Sequence, residues 1–144
     1  MNPVKTCAAA PFMARFPMKE ENKLKLTIET RNAGDVLIVH CEGSFVYRDE
    51  TSDFARMVSD MFQHTSRVVV DLSDVTVADG AGLGEFALVQ REASARGAKV
   101  CFAAPNETLR WLLALTNLDS VLEIRDTVAE ALEFVQLVGV TADC

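Results

Sequence analysis

Apolar residues along this chain switch between a period of two and a helical period, and the switches predict its elements. Leu24, Leu26 and Ile28 alternate with Lys25, Thr27 and Glu29, the pattern of a half-buried strand. Asn32–Ala33–Gly34–Asp35 is rich in turn formers, and Val36–Leu37–Ile38–Val39 is a continuous apolar run suited to a central strand. Two strands this close predict a hairpin, with Gly43 ending the second strand. Phe54, Val58, Met61 and Phe62 recur at helical spacing and predict an amphipathic helix over 52–63. Val68–Val69–Val70 reads as a buried β-branched strand, and residues 71–81 as a loop. A helix over 82–96 puts Leu83, Phe86, Ala87 and Ala93 on one side, puts Glu85, Glu92 and Arg96 on the other, and stops at Gly97. Val100–Ala103 is another strand. Pro105–Asn106 leads into a helix over 107–116 with Leu109, Leu112, Leu113 and Thr116 inward. Val121–Ile124 reads as a short strand, and Thr127–Val128–Ala129–Glu130 is a capping box opening a last helix with Val128, Ala131, Leu132 and Val135 inward.

The order ββαβαβαβα predicts a single α/β domain. Its sheet of four to five strands is mostly parallel, starts with a hairpin strand and is flanked by about four helices. A length of 144 residues, 49% hydrophobic and 24% charged, fits one globular core and excludes global disorder. The net charge of −7 disfavours nucleic acid, whose phosphates an acidic surface repels. The charge is uneven. Five cations (Lys5, Arg15, Lys19, Lys23, Lys25) face two carboxylates (Glu20, Glu21) in residues 1–25, a net +3, so the rest carries −10. Pro3, Pro11 and Pro17 break up residues 1–18, which read as a flexible arm, with Met18 as an alternative start. The domain is expected over 19–138, with a tail over 139–144.

None of Cys7, Cys41, Cys101 and Cys144 lies in a CxxC pair, so neither zinc nor dithiol redox chemistry is indicated. Cys41 and Cys101 sit in apolar runs and read as buried hydrophobes in a reducing compartment. No run has the length of a membrane span and the N-terminus makes a poor signal peptide, so a cytoplasmic protein without membrane insertion is expected.

The most unusual strand-to-helix connection is 71–84, Asp-Leu-Ser-Asp-Val-Thr-Val-Ala-Asp-Gly-Ala-Gly-Leu-Gly. Sites in open α/β sheets lie beyond the carboxyl ends of strands, and a glycine-rich helix start exposes N–H groups able to hold an anion. Asp79 is equally placed to cap those groups, and Gly80 and Gly82 to allow close backbone packing. The turn lacks the Gly-Lys-Ser/Thr of a P-loop, and GxGxxG is absent as well. No nucleophile–base pair is apparent, and no cofactor or metal is implied. His40 reads as a packed core histidine and His64 as a helix-end residue. Asp71 and Asp74, flanking the loop, read as turn formers. Trp111 lies about 200° around its helix from Leu109, either packed at the domain edge or exposed as a partner anchor.

Val68–Val69–Val70–Asp71–Leu72–Ser73 followed by Asp79–Gly80–Ala81–Gly82–Leu83–Gly84 resembles the signature of STAS domains, which include bacterial anti-sigma factor antagonists. Gly43, Ala95–Arg96–Gly97 and the Leu109–Leu118 segment extend the likeness over about 24–135. The resemblance implies a STAS-type fold and a regulator that binds an anti-sigma factor, a serine kinase of the histidine-kinase-like ATPase fold. In phospho-regulated relatives the motif reads Asp-Ser-(Ser/Ala)-Gly-Leu, and phosphorylation of that serine releases the kinase. Here Gly80 stands in the acceptor position and Ala81 follows, so neither side chain has a hydroxyl. The resemblance therefore implies a binder not phosphorylated at that position, with Ser73 and Thr76 as the alternative hydroxyls. Val46 also departs, standing where many relatives carry an acidic residue. The implied partner surface comprises Asp79, Gly80, Ala81, Gly82, Leu83 and Gly84, then Glu85, Leu88 and Val89, the loop after Gly43 with Ser44, and Trp111. Leu83 would anchor the helix to the core. Alternative readings are an accessory subunit of a lipid-transport ATPase, a scaffold part of a signalling assembly, and a nucleotide or small-molecule sensor.

Overall fold

The computed structural model describes residues 26–46 and 53–143, with side chains as far as Gln136. The elements are β1 (Leu26–Ala33), β2 (Val36–Phe45), α1 (Phe54–Met61), β3 (Arg67–Ala78), α2 (Gly80–Arg96), β4 (Lys99–Ala103), α3 (Glu107–Leu115), a 3₁₀ turn (Leu118–Ser120), β5 (Ile124–Arg125) and α4 (Val128–Asp143). The sheet runs β1-β2-β3-β4-β5, with β1 antiparallel to β2 and every other pair parallel. The three crossovers step the same way across the sheet and carry α1, α2 and α3 to one face, and the chain after β5 returns α4 to the other.

Alternate residues of the strands sort into the two resulting cores. Val39, Cys41, Phe45, Val68 and Val70 pack with Phe54, Val58, Leu83, Phe86, Leu109 and Leu113 under α1–α3. Val36, Ile38, Val69, Cys101 and Ala103 pack with Ala131 and Val135 of α4. Four phenylalanines link the first core. Phe45 meets Phe54 and Phe86 edge-on, with ring centroids 4.9 and 4.8 Å apart, and Phe86 meets Phe102 at 5.3 Å. Such pairs add about 0.5–1.5 kcal/mol each beyond area burial.

Three expectations need correction. The second strand does not end at Gly43 but runs on to Phe45. Residues 71–78 are strand, not loop. Against β2, β3 carries one extra residue between His40↔Asp71 and Glu42↔Asp74, and another between Gly43↔Val75 and Ser44↔Val77. These two bulges break the period of two, so Val75 and Ala78 are buried while Ser73, Asp74, Thr76 and Val77 are exposed. A three-residue burial repeat looks like a loop in the sequence. Val121 is not in a strand. It is exposed after the 3₁₀ turn, and β5 is only Ile124–Arg125. The last helix, α4, runs to Asp143. Leu24, the arm over 1–18, Cys7, Cys144 and the 47–52 segment lie outside the described residues.

β4 pairs with β3 only as far as Ala103↔Asp71, so the upper part of β3 is hydrogen-bonded to β2 alone. Asn106 ties this upper part down. Its Nδ2 donates to the Val75 carbonyl at 3.0 Å, while its Oδ1 accepts from Leu109 N at 2.7 Å and caps α3. Asn106→Ala is expected to lose about 1–2 kcal/mol of stability. Asn106→Asp should recover only the capping part, as checked by urea unfolding.

Candidate functional site

The connection from β3 to α2 is a tight turn at the carboxyl end of the parallel strands. Asp79 is the N-cap of α2, its Oδ1 accepting from Gly82 N at 2.9 Å. Its own N–H donates to the Phe45 carbonyl at 3.1 Å, which fastens the turn to the last residue of β2. The glycines then divide. A Cβ on Gly82 would lie 1.8 Å from Phe45 O, so no side chain fits there. A Cβ on Gly80 or Gly84 would meet nothing within 4 Å. Close packing thus accounts for Gly82 and not for Gly80, which sits at the exposed first position of the helix. Gly97 closes α2 in the left-handed conformation, φ 73°.

The other predicted site residues separate by burial. Leu83 is 3% exposed and anchors the helix as expected. Ala81 is exposed and Gly84 open, Leu88 is 46% exposed, and Trp111 is 63% exposed on the outer side of α3, so it is not packed at an edge. Val89 is fully buried, one residue further round α2 and three on from Phe86, and its assignment to the partner surface is corrected. Ser44 is likewise buried at 3%, because β2 has not ended. Its hydroxyl lies 3.4 Å from that of Thr76, which donates to the Gly43 carbonyl at 3.1 Å. Ser73 and Thr76 are both exposed, on β3 rather than in a loop.

Glu85 is half-buried and turned toward α1, not outward to solvent. Asp53 caps α1 with no side-chain bond, and Glu85 Oε1 instead accepts the Ala55 N–H at 2.9 Å. Burial raises the Glu85 carboxyl above its usual range, the Asp53 charge adds to this, and the Ala55 bond partly offsets it. Further along, Ser59 Oγ donates to Glu92 at 3.2 Å, Arg96 Nε donates to Glu92 at 2.7 Å and Arg96 Nη2 donates to Ser59 at 3.2 Å, holding α1 against α2. The Arg96 bond keeps the Glu92 carboxyl below its usual range. Between α2 and the 3₁₀ turn runs an open groove of about 590 Å³, lined by Ala87, Leu88, Arg91, Leu118 and Val121.

The expectation of a packed core histidine at position 40 is also corrected. His40 is half-buried and bridges Asp71 and Asp74, with 2.9 Å from Nδ1 to one carboxylate and from Nε2 to the other. Residues 40 and 71 lie 31 apart, and only the register of β2 on β3 brings them together, so no local signal marked them. The buried Cys41 and Cys101 read as predicted. Burial pushes the Cys101 thiol up to about 12 and Cys41 higher still, so neither is a reactive thiolate. No helix among the described residues is long and apolar enough to cross a membrane.

A covered, mostly parallel sheet that presents a glycine turn and an outward helix face defines a small α/β domain. The chain belongs to the STAS domain family, which matches residues 27–131. It is 35% identical over 85 residues to a candidate anti-sigma factor antagonist of Thermotoga neapolitana, covering 58% of this chain and 75% of that protein. The crystal structure of a candidate antagonist from Thermotoga maritima superposes with a TM-score of 0.66 at 28% identity, covering 76% of this chain and 94% of that one. An anti-sigma factor antagonist from Mycobacterium paratuberculosis shares the fold, with a TM-score of 0.66 at 18% identity over 78% and 95% of the two chains. The chain is an anti-sigma factor antagonist-like STAS protein.

Gly82→Ala is expected to destabilise the protein by about 1–3 kcal/mol, because a backbone carbonyl cannot step aside as a side chain can. Gly84→Ala should be neutral or stabilise by up to about 1 kcal/mol, since the new methyl meets open space on a helix. Denaturant midpoints of the two variants decide this, and a wild-type midpoint for Gly82→Ala would refute the close-contact argument.

Proposed function

We propose that this protein binds an anti-sigma factor of the serine-kinase type, with the histidine-kinase-like ATPase fold, and that it is not phosphorylated at the turn. It acts in the cytoplasm by binding, without catalysis or cofactor. The contact surface is the exposed part of the Asp79–Gly84 turn, the outward side of α2 with Leu88, and Trp111 on α3. One observation carries the reading. In a chain whose relatives are named as anti-sigma factor antagonists, the exposed first residue of α2 is Gly80, with open space around it and no hydroxyl. A kinase has no hydroxyl to modify there, so the turn gains no phosphate charge and the complex is not released by ATP.

A second reading, as a standing subunit of a lipid-transport ATPase or signalling assembly, draws support from the exposed Trp111, Leu115 and Val121. Large apolar side chains left in water are common where a partner covers them.

Pull-down against the serine-kinase anti-sigma factors encoded beside the gene separates the readings. Binding that persists in ATP, with no phosphate incorporated, is the expected result. Gly80→Ser has room for its side chain and should gain ATP-dependent phosphorylation and release. Phosphate uptake by the unmodified chain that is lost in Ser73→Ala or Thr76→Ala would overturn the claim of an unmodified binder. Copurification with a transporter ATPase instead of a kinase would favour the second reading.

A further inference from the structure

Among the described residues, one histidine is held between two carboxylates. Both ring nitrogens of His40 lie 2.9 Å from a carboxylate oxygen, Nδ1 from Asp71 and Nε2 from Asp74. An ionised carboxylate only accepts, so both nitrogens must donate, and only the imidazolium has two N–H groups. A neutral ring would turn a lone pair toward one of the two carboxylates.

The position of these carboxylates gives the ring a mechanical role. Asp71 and Asp74 are the residues on either side of the first bulge of β3. Inside the bulge, Asp71 Oδ1 accepts from Ser73 N at 3.0 Å. The ring therefore clasps the bulge across both ends. Beyond the bulge, Val75–Ala78 carries the chain to Asp79, whose N–H bonds to Phe45. The reach of this segment, and so the seat of the turn, depends on the extra residue being kept in the bulge.

We propose that His40 is a proton-operated clasp: protonated, it holds the bulge of β3 and keeps the Asp79–Gly84 turn seated on Phe45, and deprotonated, it lets that segment loosen. The clasp rests on the proposed function only for its effect on partner binding.

Around the ring the carboxylates outnumber the one other cation, Arg31, and the two aspartates that touch it favour the imidazolium. From β1 comes Glu29, the cross-strand partner of His40, with Arg31 two residues along the same face. From β3 come Asp71 and Asp74, and Glu42 follows on β2 itself. The described inner side of α4 offers Val128, Ala131, Leu132 and Val135, none of which titrates. The Asp71 hydrogen bond raises the ring above its usual 6.5 against the opposing effect of burial, with the charges of both aspartates adding to the rise. Burial pushes Asp71 up, but the bonds from His40 and Ser73 outweigh it and leave its carboxyl below the usual 3.8. The signs follow. The raised histidine contributes fully below 6.5, and its contribution fades as pH rises through its folded value. The lowered aspartate contributes above 3.8 and fails only in acid.

The test is an NMR titration of the full chain across about pH 5 to 9, following the two imidazoles and the turn amides. The His40 ring should titrate above 6.5. The Asp79 and Gly82 amides should shift with the same midpoint, and their hydrogen exchange, corrected for intrinsic rates, should speed several-fold on the alkaline side. Asp74→Asn, at a position exposed enough to tolerate it, should lower the midpoint of ring and amides together. In His40→Gln the amides should show no such transition. A His40 midpoint at or below 6.5, or turn amides indifferent to it, overturns the clasp. Affinity for the kinase should fall with the same midpoint in the wild type and stay flat in His40→Gln. No kinase binding at any pH would sink the partner reading and leave the partner-free titration to decide the clasp.

Discussion

The turn is fixed by the carbonyl of Phe45. It accepts the Asp79 N–H at 3.1 Å and occupies the space a side chain at residue 82 would need. The two facts describe one close approach, of the α2 N-terminus onto the end of β2. Several other features follow from it. The Phe45 ring, on the same residue, is directed inward against Phe54 and Phe86, so the contact that seats the turn also fixes the aromatic part of the core. Glu85, one turn of helix further on, comes within reach of the first turn of α1 and caps it across the gap. The β3 bulges are the other half of the same arrangement, because without their extra residues the chain from Val70 would reach Asp79 at a different height above Phe45.

Within the turn, geometry and surface are assigned to different residues. Asp79, Gly82 and Leu83 set the backbone and are committed to internal contacts. Gly80, Ala81 and Gly84, with the exposed side of Asp79, set what the outside meets, which is backbone, one methyl group and one carboxylate. A surface of this kind allows close approach but has little area to bury, so most binding energy under the proposed function comes from the flanks. Leu88 on α2 and Trp111 and Leu115 on α3 are the large exposed apolar side chains available for that role, and aromatic anchors dominate many interfaces. The turn then serves as the positioning element and the helix faces as the source of affinity.

The sequence made much of this legible where local pattern and tertiary role agreed. The helical stripe Leu83–Phe86–Ala93, the Gly97 terminator and the Thr127 cap read correctly, because each is a local signal. The hairpin and the strand–helix alternation were enough to define the sheet. The misreadings cluster on β3 and on the end of β2. There, bulges give the burial pattern a period that no regular strand has, and Val75 and Ala78 looked like loop residues. Val89 was misplaced although it lies on the buried stripe of α2, three residues after Phe86 and four before Ala93, next to the exposed Leu88. The His40–Asp71–Asp74 bridge and the Glu85 cap were invisible for another reason: each joins residues about 30 positions apart, the bridge through the register of β2 on β3 and the cap through the packing of α2 on α1.

The same separation explains how residue 80 can vary while the module is kept. Position 80 has no neighbour within 4 Å of where its Cβ would be, so its side chain is uncoupled from the packing that fixes the turn. Position 82 is fully coupled, and its freedom to vary is nil. Two glycines two residues apart in one motif thus answer to different constraints, Gly82 to the Phe45 carbonyl and Gly80 to whatever meets the surface. Substitution at position 80 changes the charge and chemistry presented to a partner without changing the scaffold that presents it. Under the proposed function, a phosphorylatable and a silent version of this turn are therefore one side chain apart on an otherwise identical fold.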